Sequence, residues 1–436
     1  MTRLAYNLLF PFALLAILPR YLARMVRRGD YRRDFGQRFG RYPAELRAKF
    51  SRGEWFWVHA VSVGELLVAL KLLDELHRRH PDWRFVVSST TSTAHSLALS
   101  KQRDWWVPVY TPIDFPPVVR RALEAVQPRA VILTESEMWP NFVWQASDRG
   151  IPVVLVNARV SPRSANRYRR FAGLLRSVTR RLSSVGLQEK EHAELWRHLG
   201  VPAERLRITG SVKFDPEGDS PAARDFRPVL ESFGLGRGEP IVLAGSTHDG
   251  EEEILAASLT ALRRQFPQAR LLVAPRHVER TAKILAQLQT GGLRVARRTA
   301  PPDDVAPDVL VLDTTGELRD WYACADVVFI GKSLAGRGGQ NPVEAIMAGR
   351  PVLFGPHMEN FAALRDHLLA AGGAIEVRDA SHLAAEIGKL LAEPAQRARL
   401  VAQAAAALQP HRGATARTAD LIETVVNRSD SRAHRV

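Results

Sequence analysis

The chain has 436 residues, of which 46% are hydrophobic and 25% charged, a composition that excludes an intrinsically disordered protein and allows two domains with separate cores. Its single cysteine, Cys324, excludes an intrachain disulfide. The net charge of +15 favours an anionic partner, which could be a nucleic acid, an acidic membrane surface or a phosphorylated substrate.

The N-terminus combines a short apolar run with basic residues. The run LAYNLLFPFALLAIL, residues 4–18, is shorter than the roughly 20 apolar residues that span a bilayer, and four arginines follow it between residues 20 and 28. A signal peptide would carry its charges before the run, and the positive-inside rule keeps everything after the arginines cytoplasmic. Residues 1–28 are therefore predicted to form a membrane-anchoring helix, either a short signal anchor or a tilted interfacial helix. The alternative is a buried amphipathic helix.

Two series of short apolar segments alternate with helical patterns along the rest of the chain. The first is WFWVHAV, RFVVSST, AVILTE, PVVLVNA and SSVGLQ, and the second is PIVLAGS, ARLLVAP, DVLVLDT, ADVVFIG and RPVLFGP. Such alternation predicts parallel sheets covered by helices on both faces. We expect an α/β fold of two Rossmann-like, doubly wound domains, residues 29–215 and 226–425, followed by a flexible tail at 426–436. Ligands of these domains are expected at the carboxyl ends of the strands, in a cleft between the domains.

Polar side chains follow three of the predicted strands of the first domain. Glu65 ends the motif VSVGE, Glu135 and Glu137 lie in TESEMWPN, and Arg159 and Ser161 lie in NARVSPRS. Because parallel strands end at one edge of a sheet, these side chains are predicted to lie near each other. For Glu65 the alternative is a purely structural role, since a glutamate suits a helix N-terminus.

In the second domain, the ends of two strands offer groups that could bind a phosphate. Ser246 lies in GSTHDGEEE, where a helix N-terminus offers amide donors to an anion, although the acidic run 251–253 suits that helix turn equally well. Arg276 and His277 end the next strand and are predicted at the same edge of the sheet.

A glycine-rich loop follows a third strand of the second domain. It begins with Gly331 and Ser333 and enters a helix near Asn341, a good capping residue. Capping leaves Glu344 unexplained, and we interpret this carboxylate as an acceptor for the hydroxyls of a ribose.

Several common sites have no motif in the chain. A G-x-G-x-x-G after the first strand, a Walker loop, paired C-x-x-C and H-E-x-x-H are all missing from the sequence, so neither a metal nor a cofactor is predicted. Nucleic acid is not expected either, because helix-turn-helix, RNP and zinc motifs are missing and carboxylates at strand ends would repel phosphates.

Eight motifs occur in the order found in bacterial 3-deoxy-D-manno-octulosonic acid (Kdo) transferases, and the chain resembles that family from about residue 1 to 415. They are HAVSVGE, ESEMWPN, NARVSPRS, GSVKFD, STHDGEEE, PRHVER, DTTGEL and RGGQNPVEA with GPHMENF. The resemblance implies a GT-B fold and inverting transfer of Kdo from CMP-Kdo to a lipid A precursor, lipid IVA, in lipopolysaccharide core synthesis. It also implies a location at the cytoplasmic face of the bacterial inner membrane, with membrane lipids as further partners.

The same resemblance assigns roles to particular residues. Glu65 resembles the catalytic base. Arg276 and the Ser333 loop resemble positions that contact CMP, with Asn341 and Glu344 on the ribose side. Lys213, in GSVKFD, matches a position near the acceptor cleft, together with Glu135 and Glu137. Lys332 and Gln340 depart from the family, in which glycine and histidine are frequent at these positions.

Three other activities remain as alternatives: a GT-B transferase that uses a UDP-sugar, a non-hydrolysing sugar-nucleotide epimerase, and a nucleic-acid-binding protein.

The segment from Arg159 to Arg181 contains eight arginines and no acidic residue. We expect Arg163, Arg167 and their neighbours to assist docking of the acceptor or of the membrane. The alternative is that the segment is only a solvated helix face.

Overall fold

The computed structural model describes residues 2–12, 15, 34–160, 168, 170–215, 224–236, 238–300 and 305–433. The chain divides into two compact units. The first consists of Met1–Asp215 and Gly413–Val436, and the second of Pro216–Arg412. Each unit contains one seven-stranded sheet, and all the strand pairings in the described residues are parallel. The prediction of two parallel-sheet α/β domains is confirmed.

The sheet of the first unit has the strand order β3-β2-β1-β4-β5-β6-β7. Its strands are β1 (Trp55–His59), β2 (Arg84–Ser89), β3 (Trp106–Tyr110), β4 (Ala130–Thr134), β5 (Val153–Ala158), β6 (Ser184–Leu187) and β7 (Leu206–Ile208). All five residues of β1 are buried, which is why its apolar run is continuous rather than alternating.

Helices cover both faces of this first sheet. They are Ala44–Phe50, Val63–Arg79, Ser92–Ser100, Pro116–Val126, Pro140–Asp148, Ala172–Thr179, Ala193–His198 and Ala414–Ala433. Successive side chains of a strand point to opposite faces, so Trp57 packs with Trp144 and Trp196 in one core while Phe56 packs with Phe85 in the other.

The C-terminal segment returns to the first unit, so the predicted end of the second domain at residue 425 is wrong. Leu421, Ile422 and Val426 lie in the core beside Phe56, on a helix that continues to Ala433. Residues 426–433, predicted as a flexible tail, therefore belong to an ordered helix. A packing partner hundreds of residues away in sequence leaves no local compositional mark, whereas the boundary at Asp215 coincides with the predicted one.

The sheet of the second unit has the order β10-β11-β9-β8-β12-β13-β14. Its strands are β8 (Ile241–Thr247), β9 (Arg270–Pro275), β10 (Val295–Arg297), β11 (Val309–Val311), β12 (Val327–Ile330), β13 (Val352–Phe354) and β14 (Ile375–Glu376). Its helices are Arg227–Ser232, Glu251–Leu262, Thr281–Thr290, Leu318–Trp321, Val343–Met347, Ala362–Ala370, Ala380–Ala392 and Pro394–Leu408. Side chains from β8, β9 and helix Glu251–Leu262 share one apolar core.

Residues 2–12 form a helix whose polar side chains contact other parts of the first unit. The Tyr6 hydroxyl donates to Asp114 Oδ2 at 2.8 Å, and Asn141 Nδ2 donates to Asn7 Oδ1 at 2.8 Å. Asp114 is buried and also accepts the backbone amides of Asn141 and Phe142, so the helix is attached to a preorganised acceptor.

The apolar side chains of this N-terminal segment remain largely exposed. Leu4, Leu8, Leu9, Phe12 and Leu15 are between 61% and 71% exposed. Within the residues that the structure describes, none of the helices is long and apolar enough to cross a bilayer. Residues 1, 13–14 and 16–28 of the predicted anchor lie outside the described residues, and the anchor stays a prediction.

Candidate active site

The first sheet changes winding direction between β1 and β4, which are neighbours although β2 and β3 separate them in sequence. In sheets of this kind the helices leave these two strands toward opposite faces, which opens a crevice beyond their carboxyl ends. Glu65 lies in the first turn of the helix after β1, and Glu135 and Glu137 lie in the segment that follows β4. The topology therefore brings the three glutamates predicted from two sequence motifs to the usual ligand position of the fold.

Glu65 takes part in a capping box at the start of helix Val63–Arg79. Ser62 is the N-cap, its Oγ accepts the Glu65 amide at 3.3 Å, and its hydroxyl donates to Glu65 Oε1 at 3.2 Å. The Val61 amide donates to Glu65 Oε2 at 2.6 Å. These bonds fix the rotamer of the side chain. Glu65 therefore has the structural role considered as the alternative, and the same bonds also hold its carboxylate in one orientation.

The surroundings of Glu65 favour its protonated form. Burial raises the pKa of Glu65 to about 7, the Val61 amide opposes this rise, and the negative charges of Glu137 and Glu135 add to it. Burial, followed by the charge of Glu135, also raises the pKa of Glu137. A carboxyl group with a pKa near neutrality can accept a proton at cellular pH and hold it, which a solvated glutamate does poorly.

Two basic residues complete this group. Burial lowers the pKa of Lys213, Glu135 opposes this change, and the positive charge of Arg159 adds to it. Lys213 therefore lies within electrostatic reach of both residues. Of the predicted acceptor-side residues, the structure brings together Glu65, Glu135, Glu137, Lys213 and Arg159. Ser161, Arg163 and Arg167 lie outside the described residues.

The backbone turns sharply where these side chains leave the sheet. Glu135 and Asn157 have φ angles of 57° and 54°, a left-handed conformation that is uncommon for residues other than glycine. Asn157 is fully buried, and its Oδ1 accepts the Val212 amide at 3.0 Å, next to Lys213. Asn157 therefore supports the segment that carries the lysine, a role that its place inside an apolar strand did not reveal.

His59 lies inside β1 and has a structural role. Its side chain is 1% exposed, and its Nδ1 lies 2.9 Å from Ser88 Oγ. Burial lowers the pKa of His59 to about 4, so the imidazole is neutral at physiological pH.

The second sheet has its own switch point, between β8 and β12. Ser246 lies at the end of β8, the loops after β8 and β12 carry His248 and Lys332, and Arg276 and His277 follow the adjacent strand β9. The rings of His248 and His277 are 5.8 Å apart, and burial, with the charge of Lys332 among the further causes, lowers the pKa of His248. Basic and imidazole side chains thus cluster at this edge, and His248 and Lys332 were not among the predicted site residues.

Ser333 is not placed to contact a ligand, and the prediction that it binds the donor is wrong for its side chain. It is 0% exposed, its hydroxyl donates to Ile330 O at 2.5 Å, and its Oγ accepts the Gly355 amide at 2.8 Å. Gly331 is also explained by packing, because a Cβ there would lie 2.4 Å from Ser246 O. The glycine-rich loop therefore owes both residues to close backbone approach.

Asn341 and Glu344 lie at the start of a short helix, Val343–Met347. Asn341 Oδ1 accepts the Val343 amide at 3.1 Å, but the N-cap of the helix is Pro342 rather than the predicted Asn341, because the helix begins two residues after Asn341. Glu344 is exposed. The pKa of Tyr322 is raised mainly by the burial of Tyr322 itself and further by the negative charge of Glu344. The Tyr322 hydroxyl lies against Gly245 in β8, which relates Glu344 to the same edge of the sheet.

A metal site in a protein commonly needs three or more His, Cys, Asp or Glu side chains close together. In the part of the chain that the structure describes, no three of them converge in this way.

Comparison with known proteins identifies the family. Residues 33–216 match the family model described as 3-deoxy-D-manno-octulosonic-acid transferase (kdotransferase). A 3-deoxy-D-manno-octulosonic acid transferase of Haemophilus influenzae is 32% identical over 403 residues, which cover 92% of this chain and 93% of the relative. One from Bordetella pertussis is 36% identical over 89% of this chain and 90% of the relative.

A solved structure supports the fold. The glycosyltransferase of kitacinnamycin superimposes with a TM-score of 0.52 over 86% of this chain and 99% of its own, at 18% identity. Because the Haemophilus and Bordetella relatives are 32% and 36% identical over most of the chain, the protein belongs to the 3-deoxy-D-manno-octulosonic acid (Kdo) transferase family, whose members are glycosyltransferases of lipopolysaccharide synthesis.

Proposed function

We propose that the protein transfers Kdo from CMP-Kdo to a lipid A precursor, lipid IVA, in a single inverting displacement with Glu65 as the general base. The observation that carries this proposal is the partly buried Glu65 carboxyl group, with a pKa of about 7, at the switch point of the first sheet. Membership of the Kdo transferase family supports the transferred sugar.

In the proposed reaction, a hydroxyl oxygen of the acceptor forms a bond to the anomeric carbon of Kdo. The bond from that carbon to the phosphate oxygen of CMP breaks, and CMP leaves with the electron pair. The hydroxyl proton passes to a carboxylate oxygen of Glu65. Val61 and Ser62 hold that carboxylate in one rotamer, which reduces the reorganisation needed for proton transfer.

The charged residues around Glu65 and in the second unit support the proposed reaction. Glu135 and Glu137 raise the proton affinity of Glu65, and Lys213 offers a cation to a polar acceptor group. In the second unit, His248, Arg276, His277 and Lys332 provide positive or protonatable groups for the phosphate of a departing CMP. Preorganised cations of this kind stabilise charge that develops on a leaving group.

The exposed apolar side chains among residues 2–12 and at residue 15 support docking at the cytoplasmic face of the inner membrane. The helix is held by its polar face through Tyr6 and Asn7, which leaves Leu4, Leu8 and Phe12 free to enter the headgroup region. Full burial of one leucine or phenylalanine side chain contributes about 1.5–3 kcal/mol. The net charge of +15 adds attraction to anionic lipids.

A donor comparison tests the proposed reaction. Purified protein in detergent is incubated with lipid IVA and either CMP-Kdo or UDP-N-acetylglucosamine, and the release of CMP or UDP is measured. We expect CMP release that depends on the acceptor lipid, and no UDP release. Transfer from the UDP-sugar, or no acceptor-dependent CMP release, would contradict the proposal.

A further inference from the structure

One buried carboxylate joins the two loops at the switch point of the second sheet. Glu251 begins the helix after β8 and is 0% exposed. Its Oε1 accepts the amides of Ser333 and Leu334 at 2.9 and 3.0 Å. Its Oε2 accepts the amides of Lys332 and His248 at 2.7 and 2.9 Å. A single side chain thus receives four backbone donors from the loops after β8 and β12.

These amides would otherwise form an anion-binding site. Successive N–H groups in a left-handed turn create a concave cluster of donors, and Lys332 has a φ of 58° at the start of this turn. Here the anion is the protein's own carboxylate. The amides of residues 332–334 are therefore already engaged before any substrate binds, so these three amides are not the groups that bind a phosphate at this edge.

Hydrogen bonds also connect these two loops to the loop after a third strand, β13. Ser333, whose amide binds Glu251, accepts the Gly355 amide through its Oγ, and its carbonyl accepts the His357 amide at 2.9 Å. The loops after β8, β12 and β13 are consequently connected through Glu251 and Ser333. Sequence reasoning interpreted Glu251 only as an acid that suits a helix N-terminus, a role that requires no burial.

We propose that Glu251 is a positioning residue for the donor site. It holds the loop of residues 332–334 in a strained conformation and thereby sets the positions of the Lys332 and His248 side chains. This role rests on the proposed use of CMP-Kdo. The left-handed backbone conformation of Lys332 is energetically costly for a residue other than glycine, and the charge-assisted hydrogen bonds to Glu251 offset that cost.

Glu251→Gln is the variant that tests the role, because it keeps the size of the side chain and replaces one acceptor oxygen by a donor group. The new NH₂ would face backbone N–H groups, so the loop must move. Glu252→Gln is the matched control. Glu252 is 1% exposed on the same helix turn, but its carboxylate binds the Thr247 hydroxyl at 2.9 Å and Arg280 at 3.1 Å.

The readouts are the Kd of CMP by calorimetry, kcat and KM for CMP-Kdo, and the melting temperature of each protein. Both variants are expected to melt earlier than the wild type, but only Glu251→Gln should bind CMP about tenfold more weakly and raise KM more than it lowers kcat. Equal CMP binding by Glu251→Gln and the wild type, or an equal loss in Glu252→Gln, would overturn the inference. Failure of the wild type to bind CMP would instead contradict the proposed donor.

Amide hydrogen exchange of the wild type provides a test that needs no variant. Slow exchange of the amides of residues 332–334 without ligand, unchanged by added CMP, is the expected result. Fast exchange without ligand that becomes slow with CMP would mean that the amides bind the phosphate, and the inference would be wrong.

Discussion

Replacement of Glu65 by glutamine should separate catalysis from stability. Glutamine has nearly the same shape and can still accept one hydrogen bond from Val61 or Ser62, but it cannot take a proton from an acceptor hydroxyl. General-base catalysis contributes ~10²–10⁴ in rate, so kcat is expected to fall by at least about 100-fold. The KM for CMP-Kdo should change little, because the donor residues lie in the other unit.

The pKa shift gives the expected effect on stability. A rise of the Glu65 pKa from 4.5 to about 7 means that the surroundings disfavour the carboxylate by about 3 kcal/mol, at about 1.4 kcal/mol per pKa unit. Since the folded protein keeps the Glu65 proton up to about pH 7 and the unfolded chain loses it near 4.5, stability falls as the pH rises through this window. Glutamine removes this cost and loses part of the capping box, which is worth about 0.5–2 kcal/mol. Glu65→Gln should therefore be at least as stable as the wild type at pH 8.

The assay is the pH profile of kcat/KM together with urea unfolding of both proteins. The wild-type rate should rise with pH and level off above about 7, as Glu65 loses its proton. The residual activity of Glu65→Gln should lack this rise. Glu45→Gln, an exposed glutamate in the first turn of helix Ala44–Phe50, serves as the control and should behave as the wild type. Activity of Glu65→Gln within about threefold of the wild type, or an unchanged pH profile, would refute the assignment of the base.

Three further predictions concern stability and membrane binding. Asp308 accepts hydrogen bonds from Arg263, Arg270 and Arg294; although burial alone would raise its pKa, the bonds from Arg294 and Arg263 hold the pKa well below the usual value. Asp308→Ala should lower the free energy of unfolding in urea by about 3 kcal/mol at pH 7, and the difference from the wild type should shrink below about pH 4. A loss under about 1 kcal/mol would contradict the stabilising role of these ion pairs. Ile422→Ala should destabilise the first unit by about 2–5 kcal/mol, and a neutral result would show that the C-terminal helix does not pack there. The double substitution Leu8→Glu and Phe12→Glu should abolish flotation with anionic vesicles while circular dichroism stays unchanged, and undiminished flotation would contradict docking through this helix.

The sequence predicted the sheets and the first half of the site for a simple physical reason. Apolar runs such as that of β1 are buried on both faces, and parallel strands all end at the same edge, so Glu65, Glu135 and Glu137 could be grouped without coordinates. The spacing of Ser62 and Glu65 also matches a capping box. The raised pKa of Glu65 could not be predicted, because it depends on burial by residues distant in sequence.

The errors came from interactions that local sequence does not encode. Ser333 looked like a ligand residue because it follows a strand and enters a glycine-rich loop, but three strands converge on it and bury it. Glu251 looked like a helix-terminus charge, and its partners come from a loop about 80 residues further along the chain. The C-terminal helix packs on the first unit after the chain has completed the second. Each case depends on strand order, which composition and periodicity leave open.

The most direct test of Glu65-catalysed Kdo transfer is the mass of the lipid product formed from CMP-Kdo and a tetraacylated lipid A precursor. Wild-type and Glu65→Gln proteins are compared in matched reactions. We predict that the wild type adds one or more Kdo units to the lipid, and that Glu65→Gln forms at least about 100-fold less product in the same time. An unmodified lipid with the wild type, or equal product with Glu65→Gln, would contradict the proposed reaction or its base, respectively.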